Sequence, residues 1–537
     1  MNYGFVIDNR MCIGCHACTV ACKSEHDVPI GVNRTHVKYI EKGVFPNSTR
    51  EFSVHRCNHC LNAPCVEICP TTALYSRDDG IVDFDNDRCI GCKSCMQACP
   101  YDALYIDPDT HTAAKCNYCA HRLDGGYEPA CVIVCPVEAI ISGDLNDPQS
   151  KIANLVSNEE VMTRKPEKNT IPNLYYINGT NEMLDPLATE IDSQYVWTDQ
   201  SKGVGHYAKY AENRSSESNN QDLLIQLAME NSAKTKQSID QRAIDNVAKD
   251  IQKDVDFTKD AQRVYDSPNK GVLWGWEVPA YVCTKAIATG TLLMMIVLQY
   301  LNGFFEKSVQ ITGLFITLTF MVITGILLVI DLDRPDRFLY VLLRPQWKSW
   351  LVRGAYIITC FTGLVTIKIA MVYSDVPNWM IFDILISIFA IMCAIYTAFL
   401  FAQAKARDHW QKPWLNAFHM FVHALIAGSV MTIAFVPDAV HEISMLLLFS
   451  ITINLTLIVV DLLFPHQTPE GKKAIQLMMR GHVSKYLWAG IIIGNIIPIA
   501  ILIMETEIIS YIGVLAIVGI FLTEFVRIRV PQMIPLS

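Results

Sequence analysis

Sixteen of the nineteen cysteines lie between Cys12 and Cys135, grouped in four quartets. The first is Cys12, Cys15, Cys18 and Cys22; the second is Cys57, Cys60, Cys65 and Cys69. The third is Cys89, Cys92, Cys95 and Cys99, and the fourth Cys116, Cys119, Cys131 and Cys135. Pro70, Pro100 and Pro136 follow the last three quartets. Closely spaced thiolates on a tight turn converge on one cubane, while the last cysteine points away and, in two-cluster ferredoxins, ligates the neighbouring cluster. Four quartets therefore imply four [4Fe-4S] clusters. Zinc ribbons use separated CxxC pairs and leave the third cysteine and the Cys-Pro steps unexplained. Disulfide frameworks belong to secreted chains, and Met1-Asn2-Tyr3-Gly4 runs into the first motif too soon to leave room for an export leader.

Internal repeats support a duplicated ferredoxin-like α+β domain. Asp8-Asn9-Arg10-Met11-Cys12-Ile13-Gly14-Cys15 is echoed by Asp87-Arg88-Cys89-Ile90-Gly91-Cys92. After the Cys-Pro steps, residues 73–75, 103–105 and 139–141 read as short strands, and Asp79-Gly80 as a hairpin turn into 81–84. On these motifs, residues 1–178 resemble the four-cluster electron-transfer subunit of the complex iron–sulfur molybdoenzymes, a family that includes polysulfide and dimethyl sulfoxide reductases. The resemblance implies shared ligands. Cys12, Cys15 and Cys18 with Cys135 would hold one cluster, and Cys116, Cys119 and Cys131 with Cys22 another. Cys57, Cys60 and Cys65 with Cys99 would hold a third, and Cys89, Cys92 and Cys95 with Cys69 the fourth. It also implies that the inner pair lies nearer the membrane and the outer pair nearer a catalytic partner.

Residues 179–270 read as a polar linker. Residues 198–222 are rich in Ser, Asn, Gln and charge, and Ile244, Val247, Ile251 and Val255 mark one face of a packing helix. The formal net charge of -9 comes largely from the soluble part and carries no partner information. No basic tract with interleaved aromatics suggests nucleic acid.

From about residue 278 the chain is almost continuously apolar. Eight segments, at 278–301, 309–330, 351–373, 379–403, 414–435, 440–461, 484–504 and 508–526, are each long enough to cross a hydrocarbon core of roughly 30 Å. The expected architecture of 271–537 is thus an all-α polytopic domain of eight transmembrane helices. The loops on the side of the iron–sulfur domain, with the C-terminus, carry fourteen Lys and Arg residues; those on the other side carry Lys307 alone. The positive-inside rule then puts the iron–sulfur domain on the cytoplasmic face of a bacterial or archaeal inner membrane. Trp274-Gly275-Trp276 and Asp331-Leu332-Asp333-Arg334-Pro335-Asp336-Arg337-Phe338 resemble the eight-helix anchor of the polysulfide reductase type. That resemblance implies quinone exchange near the iron–sulfur subunit, no haem, and, in contrast to the charge pattern, a periplasmic face.

Ionisable residues within spans are expensive and mark pathways or sites. Glu277, Tyr281 and Lys285 share a face of the first span, and Asn416, His419 and His423 a face of the fifth; Asp331 and Asp461 end the second and sixth. All lie toward the clusters, and together they form the expected site for a menaquinone or ubiquinone and its protons. Asp331 and Asp461 could instead pair with the basic loops. Lys285 lies about 12 Å along the helix from Glu277, too deep for easy snorkelling. Two histidines four apart on one helix cannot flank a haem, and His441 and His466 are badly placed to help. Cys283, Cys360 and Cys393 read as small apolar residues. Lys368 and Asp383, toward the far side, read as snorkelling residues, with a proton path as the alternative.

The expected function is electron transfer between a separate molybdopterin-containing catalytic subunit, four clusters in series and membrane quinone, with no catalytic residue of its own for the final substrate. Two other readings remain: a quinol-oxidising complex resembling alternative complex III with cytochrome partners, and a tether that merely parks a ferredoxin at the membrane.

Overall fold

A computed structural model describes residues 1–43, 47–191, 261–267, 270–303, 305–377, 379–436, 439–463, 467–504 and 509–537. The expected linker at 198–222 and the helix carrying Ile244 to Val255 lie outside them. The N-terminal part is built on two four-stranded sheets. In the first, β1 (Tyr3–Asp8) pairs parallel with β10 (Leu174–Ile177) and antiparallel with β8 (Ile140–Asp144), and β9 (Val161–Met162) adds to β10. In the second, β2 (Thr35–Lys42) and β3 (Thr49–Arg56) form a hairpin, and two strands from within the expected linker 179–270 join it, β12 (Gln262–Tyr265) pairing with β2 and β11 (Glu190–Ile191) lying outside β12. Two small hairpins follow the Cys-Pro steps: β4 (Leu74–Ser76) with β5 (Val82–Phe84), and β6 (Leu104–Ile106) with β7 (Ala113–Lys115).

Short helices carry or abut later cysteines of the quartets: α1 (Ala17–Glu25) holds Cys18 and Cys22, α2 (Pro64–Ile68) Cys65, α3 (Ser94–Ala98) Cys95 and α5 (Ala130–Ile133) Cys131, while α4 (Ala120–Asp124) starts just after Cys119. The duplication is visible in the backbone. Gly14 and Gly91 both adopt φ +68°, with His16 and Lys93 at +58° and +59°. Thr72, Asp102 and Glu138, each three residues beyond the last cysteine of a quartet, are likewise left-handed at +55°, +56° and +49°. Such angles are uncommon outside glycine, and their recurrence at equivalent positions shows one loop design used repeatedly. Helices α6 (Lys151–Asn158) and α7 (Asn181–Leu184) cover the flanks.

Seven described helices are long and apolar enough to cross a membrane. They are α8 (Glu277–Asn302), α9 (Lys307–Ile330), α11 (Trp350–Tyr373), α12 (Met380–Gln403), α13 (Pro413–Ile433), α14 (Val440–Leu463) and α16 (Ser484–Ile503). Helix α17 (Ile509–Gln532), of 24 residues, packs in the same bundle. Short α10 (Tyr340–Leu343) and amphipathic α15 (Pro469–Arg480), absent from the sequence reading, lie in the loops. Helix α16 contains a π-helical turn at Ile492–Ile496, a feature often found at functional sites. Helices α8 and α13 are the most buried of the seven. They cross at Gly290 and Gly428, where a Cβ on either would fall within 2.4 Å of the other helix's backbone.

The two parts are joined at the third quartet. Asp333 N–H donates to Gly91 O and Arg334 N–H to Ile90 O, both at 3.3 Å, and Lys93 pairs with Asp333 at 3.0 Å. A Cβ on Gly91 would lie 2.7 Å from that of Asp333. Arg337 Nη1 donates to Asn86 O at 2.6 Å, and Ser349 Oγ to Ile68 O at 2.7 Å. The C-terminal segment is threaded through the same junction. Gln97 Nε2 donates to Gln532 Oε1 at 2.5 Å, Arg407 to the carbonyls of Pro531 and Ile534, and Arg164 to Leu536 O. Residues 144–270, which carried no chemistry in the sequence, supply several of these ties, among them Arg164, Lys165 to Glu470, and Lys168 to Asp408.

Gly428→Val should lower thermal stability in detergent by about 1–3 kcal/mol or more through overpacking of the α8–α13 crossing. Gly363→Val, where an added Cβ meets nothing within 4 Å, should be nearly neutral in the same melt.

Candidate functional site

No disulfide joins the sixteen quartet cysteines, and most are buried; Cys15 alone among them is exposed. The fold gathers them into four sets. Cys12 lies within electrostatic reach of Cys15 and Cys135, and Cys22 of Cys116, Cys119 and Cys131. Cys65 is close to Cys57, Cys60 and Cys99, and Cys95 to Cys89, Cys92 and Cys69. The sets also touch in sequence: Cys18 neighbours Cys131, Cys57 neighbours Cys116, and Cys95 neighbours Cys65. Linked through these pairs, the groups follow one another from exposed Cys15 to Cys92, which borders the membrane domain.

The surroundings fit anionic sulfur centres. Ala139 N–H donates to Cys135 Sγ at 3.2 Å and Ala113 N–H to Cys89 Sγ at 3.3 Å. Arg56 Nη1 donates to Cys131 Sγ at 2.9 Å, while its Nε and Nη2 are buried with no partner among the described residues. A guanidinium held that way needs negative charge beside it, which iron–sulfur clusters on these thiolates supply along with one-electron redox chemistry.

Against the third quartet, inside the membrane domain, lies an apolar cavity of about 230 Å³. Its wall includes Cys92, Trp274, Tyr281, Asp331, Tyr396 and Leu400. Trp274 Nε1 donates to the carbonyl of Cys92 at 3.2 Å, fixing cluster loop and helix entry together. Lys285 is fully buried one layer behind: its Nζ donates to Thr397 Oγ1 at 2.5 Å and stands 4.3 Å from the Tyr396 ring centre. Glu277 sits above it at the start of α8, its carboxylate against Gly275. A wider cleft of about 1190 Å³ between residues 61–67 and 405–412 has a mixed polar and apolar lining, and its Lys168 and Lys412 are already paired with Asp408 and Asp461.

The second half of the expected site is a separate polar network. His419 Nε2 contacts Asn454 Oδ1 at 2.8 Å, and Asn454 Nδ2 donates to Asn495 Oδ1 at 2.8 Å, within the π turn of α16. Arg527 bonds His419 Nδ1, reaches Asn416 Oδ1 at 3.0 Å and pairs with Glu524 at 2.8 Å. Asp461 joins through Arg527, Lys412 and His409, all within 3.5 Å. His423 Nδ1 lies 4.0 Å from Glu524. His419, His423 and Glu524 bring possible ligand atoms within 4.8 Å of one another, but Arg527 bridges two of them, where a metal cation would be repelled. Glu524 also lies within electrostatic reach of Lys285 and Tyr281, linking the network to the cavity side. Sequence reasoning passed over Glu524 and counted Arg527 as a terminal charge; their i, i+3 spacing near the end of an apolar run was the available signal. Snorkelling is corrected for Lys368 and Asp383. Both are buried and paired with each other at 2.5 Å, and Tyr300 OH donates to Asp383 at 3.0 Å.

Residues 49–145 match the 4Fe-4S dicluster domain, and residues 266–535 match the polysulphide reductase NrfD family. The chain belongs to the NrfD family. It joins this membrane domain to an iron–sulfur electron-transfer module in one polypeptide. Similar proteins include a subunit of the tetrathionate reductase of Salmonella typhimurium, 43% identical over 34% of this chain and 76% of its own length. A component of the polysulfide reductase of Wolinella succinogenes is 44% identical over 33% of this chain and 93% of its own. The arsenate respiratory reductase iron-sulfur subunit ArrB of a Shewanella species is 35% identical over 33% and 97%.

Because cysteines form much of the core around Ile68, Leu74 and Leu104, destroying the clusters should unfold the sheet-rich part and leave the NrfD helices intact. Far-UV circular dichroism with limited proteolysis, before and after oxidative iron removal, reads this directly.

Proposed function

We propose that the chain carries electrons between a catalytic partner and the membrane quinone pool through four [4Fe-4S] clusters, ligated in the four sets grouped above. One observation carries the reading: Cys92, in the third quartet, forms part of the wall of an apolar membrane cavity that also presents Tyr281 and Asp331. Apolar clefts with a few polar groups are the usual form of a small-molecule site. A quinol there releases two protons and two electrons as it becomes quinone, and the electrons leave singly along the line of clusters. Tyr281 and Asp331 would meet the head group, with Lys285 behind Tyr281 and Glu277 within electrostatic reach of Asp331. Asn416, His419, His423 and Asp461, with Glu524 and Arg527, are better suited to hold protons than to contact the ring.

The partner end is the first quartet, where exposed Cys15 is flanked by the exposed apolar residues Met11, Ile13, Val20, Ile133 and Val134. Since the similar subunits belong to tetrathionate, polysulfide and arsenate reductases, the partner is a separate subunit of the molybdopterin type. Helix α17 is the eighth crossing, and 1–178, 179–270 and 271–537 are the functional divisions. Arg334, Arg337 and Arg407 have docking partners, which accounts for part of the charge asymmetry. The remaining basic residues still greatly outnumber Lys307, favouring the cytoplasmic face. A periplasmic face remains the alternative, distinguishable by protease accessibility in oriented vesicles.

Anaerobic proteoliposomes containing the chain should show cluster reduction on adding menaquinol, followed by absorbance and EPR. Lys285→Met should lower that rate at least tenfold with the iron content unchanged; an unaltered rate would remove Lys285 from the site. Purification from native membranes should yield near sixteen irons per chain with molybdenum or tungsten and a large second subunit. Multihaem cytochromes without those metals would instead favour the alternative-complex-III-like reading.

A further inference from the structure

We propose that Arg56 sets the reduction potentials of the two outer clusters by placing one fixed positive charge between their ligand sets; this rests on the four-cluster reading above. Arg56 ends β3 and is 2% exposed. Its Nη1 donates to Cys131 Sγ at 2.9 Å, and its guanidinium carbon stands 4.7 Å from the Phe5 ring centre, which holds the side chain in place. The charged groups that act most strongly on it are thiols: Cys131, Cys116 and Cys18. Cys22 feels it as well. Cys18 belongs to the outermost set, and Cys22, Cys116 and Cys131 to the next.

The comparison with other buried cations sharpens the assignment. Lys38 and Arg263 share Asp266, so both are answered by a carboxylate and not by sulfur. Lys115 donates to the carbonyls of Val82 and Cys116 and acts chiefly on Cys57, Cys60 and Cys65. Arg56 keeps Nε and Nη2 buried without a partner among the described residues, so two of its nitrogens remain for the sulfur centres on either side. An arginine does not lose its charge at any physiological pH. A cluster gains negative charge when it accepts an electron, so a nearby fixed cation and an N–H···S bond both favour the reduced form and raise the potential. Burial keeps salt from screening the effect. The outer clusters then hold electrons more tightly than they otherwise would, which tilts the line away from the membrane and toward the partner.

The test is an anaerobic redox titration of the full chain, followed by EPR and with iron determined on the same samples. In Arg56→Gln, two waves should move to lower potential and two should stay. The expected shift is at least tenfold in the reduced-to-oxidised ratio, about 59 mV for a one-electron couple. Arg56→Lys keeps the charge but loses the planar fork, so one wave alone, that of the cluster bonded through Cys131, should fall. Full iron with all waves unmoved, or with all four moving together, would overturn the proposal. If Arg56→Gln loses iron, Arg56→Lys decides, and both outer waves falling by the full tenfold despite the retained charge would overturn it. Wild-type iron well short of four clusters would strike the four-cluster reading beneath it instead.

Discussion

Buried negative charge is the constraint on which the iron–sulfur half depends. Thiolates in this number cannot be packed into one small domain unless iron draws them together and the protein answers their charge. Both responses are visible. Left-handed residues such as His16, Lys93 and Tyr118 turn the loops inward, and backbone N–H groups and Arg56 point at sulfur. Positive φ at non-glycine positions is strain that persists only where the surroundings over-determine it. Here the requirement that cysteines distant in sequence share one centre does so.

The second constraint is distance. The third quartet is held against the membrane cavity by a dense set of contacts. Gly91 lets the Asp333 loop approach within contact distance, and Trp274 reaches from the start of the membrane domain to the Cys92 carbonyl. The C-terminal segment threads through the junction, so Gln532 bonds both Gln97 and the backbone of Leu273 and Trp274. The ties named here are hydrogen bonds of backbone, indole and amide groups, and the charged pair Lys93–Asp333 adds to them at the third quartet.

Several of the described buried ionisable groups of the membrane domain are answered by another. Lys368 has Asp383, and Arg527 has Glu524 and Asp461. Lys285 is different, resting on a hydroxyl and an aromatic face. A buried ammonium held so lightly is costly unless it serves a ligand or a proton, and it stands next to the cavity.

Much was legible in the residues alone. The cysteine spacings announced iron–sulfur chemistry because cubane ligation imposes short, fixed intervals. The apolar runs announced spans because the bilayer imposes a length. Strand positions after each Cys-Pro step followed from the repeat. What the linear pattern could not contain was which polar residues meet. Glu277, Tyr281, Lys285 and Asp331 gather near one cavity, while Asn416, His419, His423 and Asp461 join Glu524, Arg527, Asn454 and Asn495 elsewhere. That division depends on how helices rotate and cross, as at Gly290 and Gly428, and on a π turn that aims Asn495 at Asn454. The chemistry of each residue is local and was readable from the sequence. Its partner is set by packing between distant segments, and only the tertiary structure decided that.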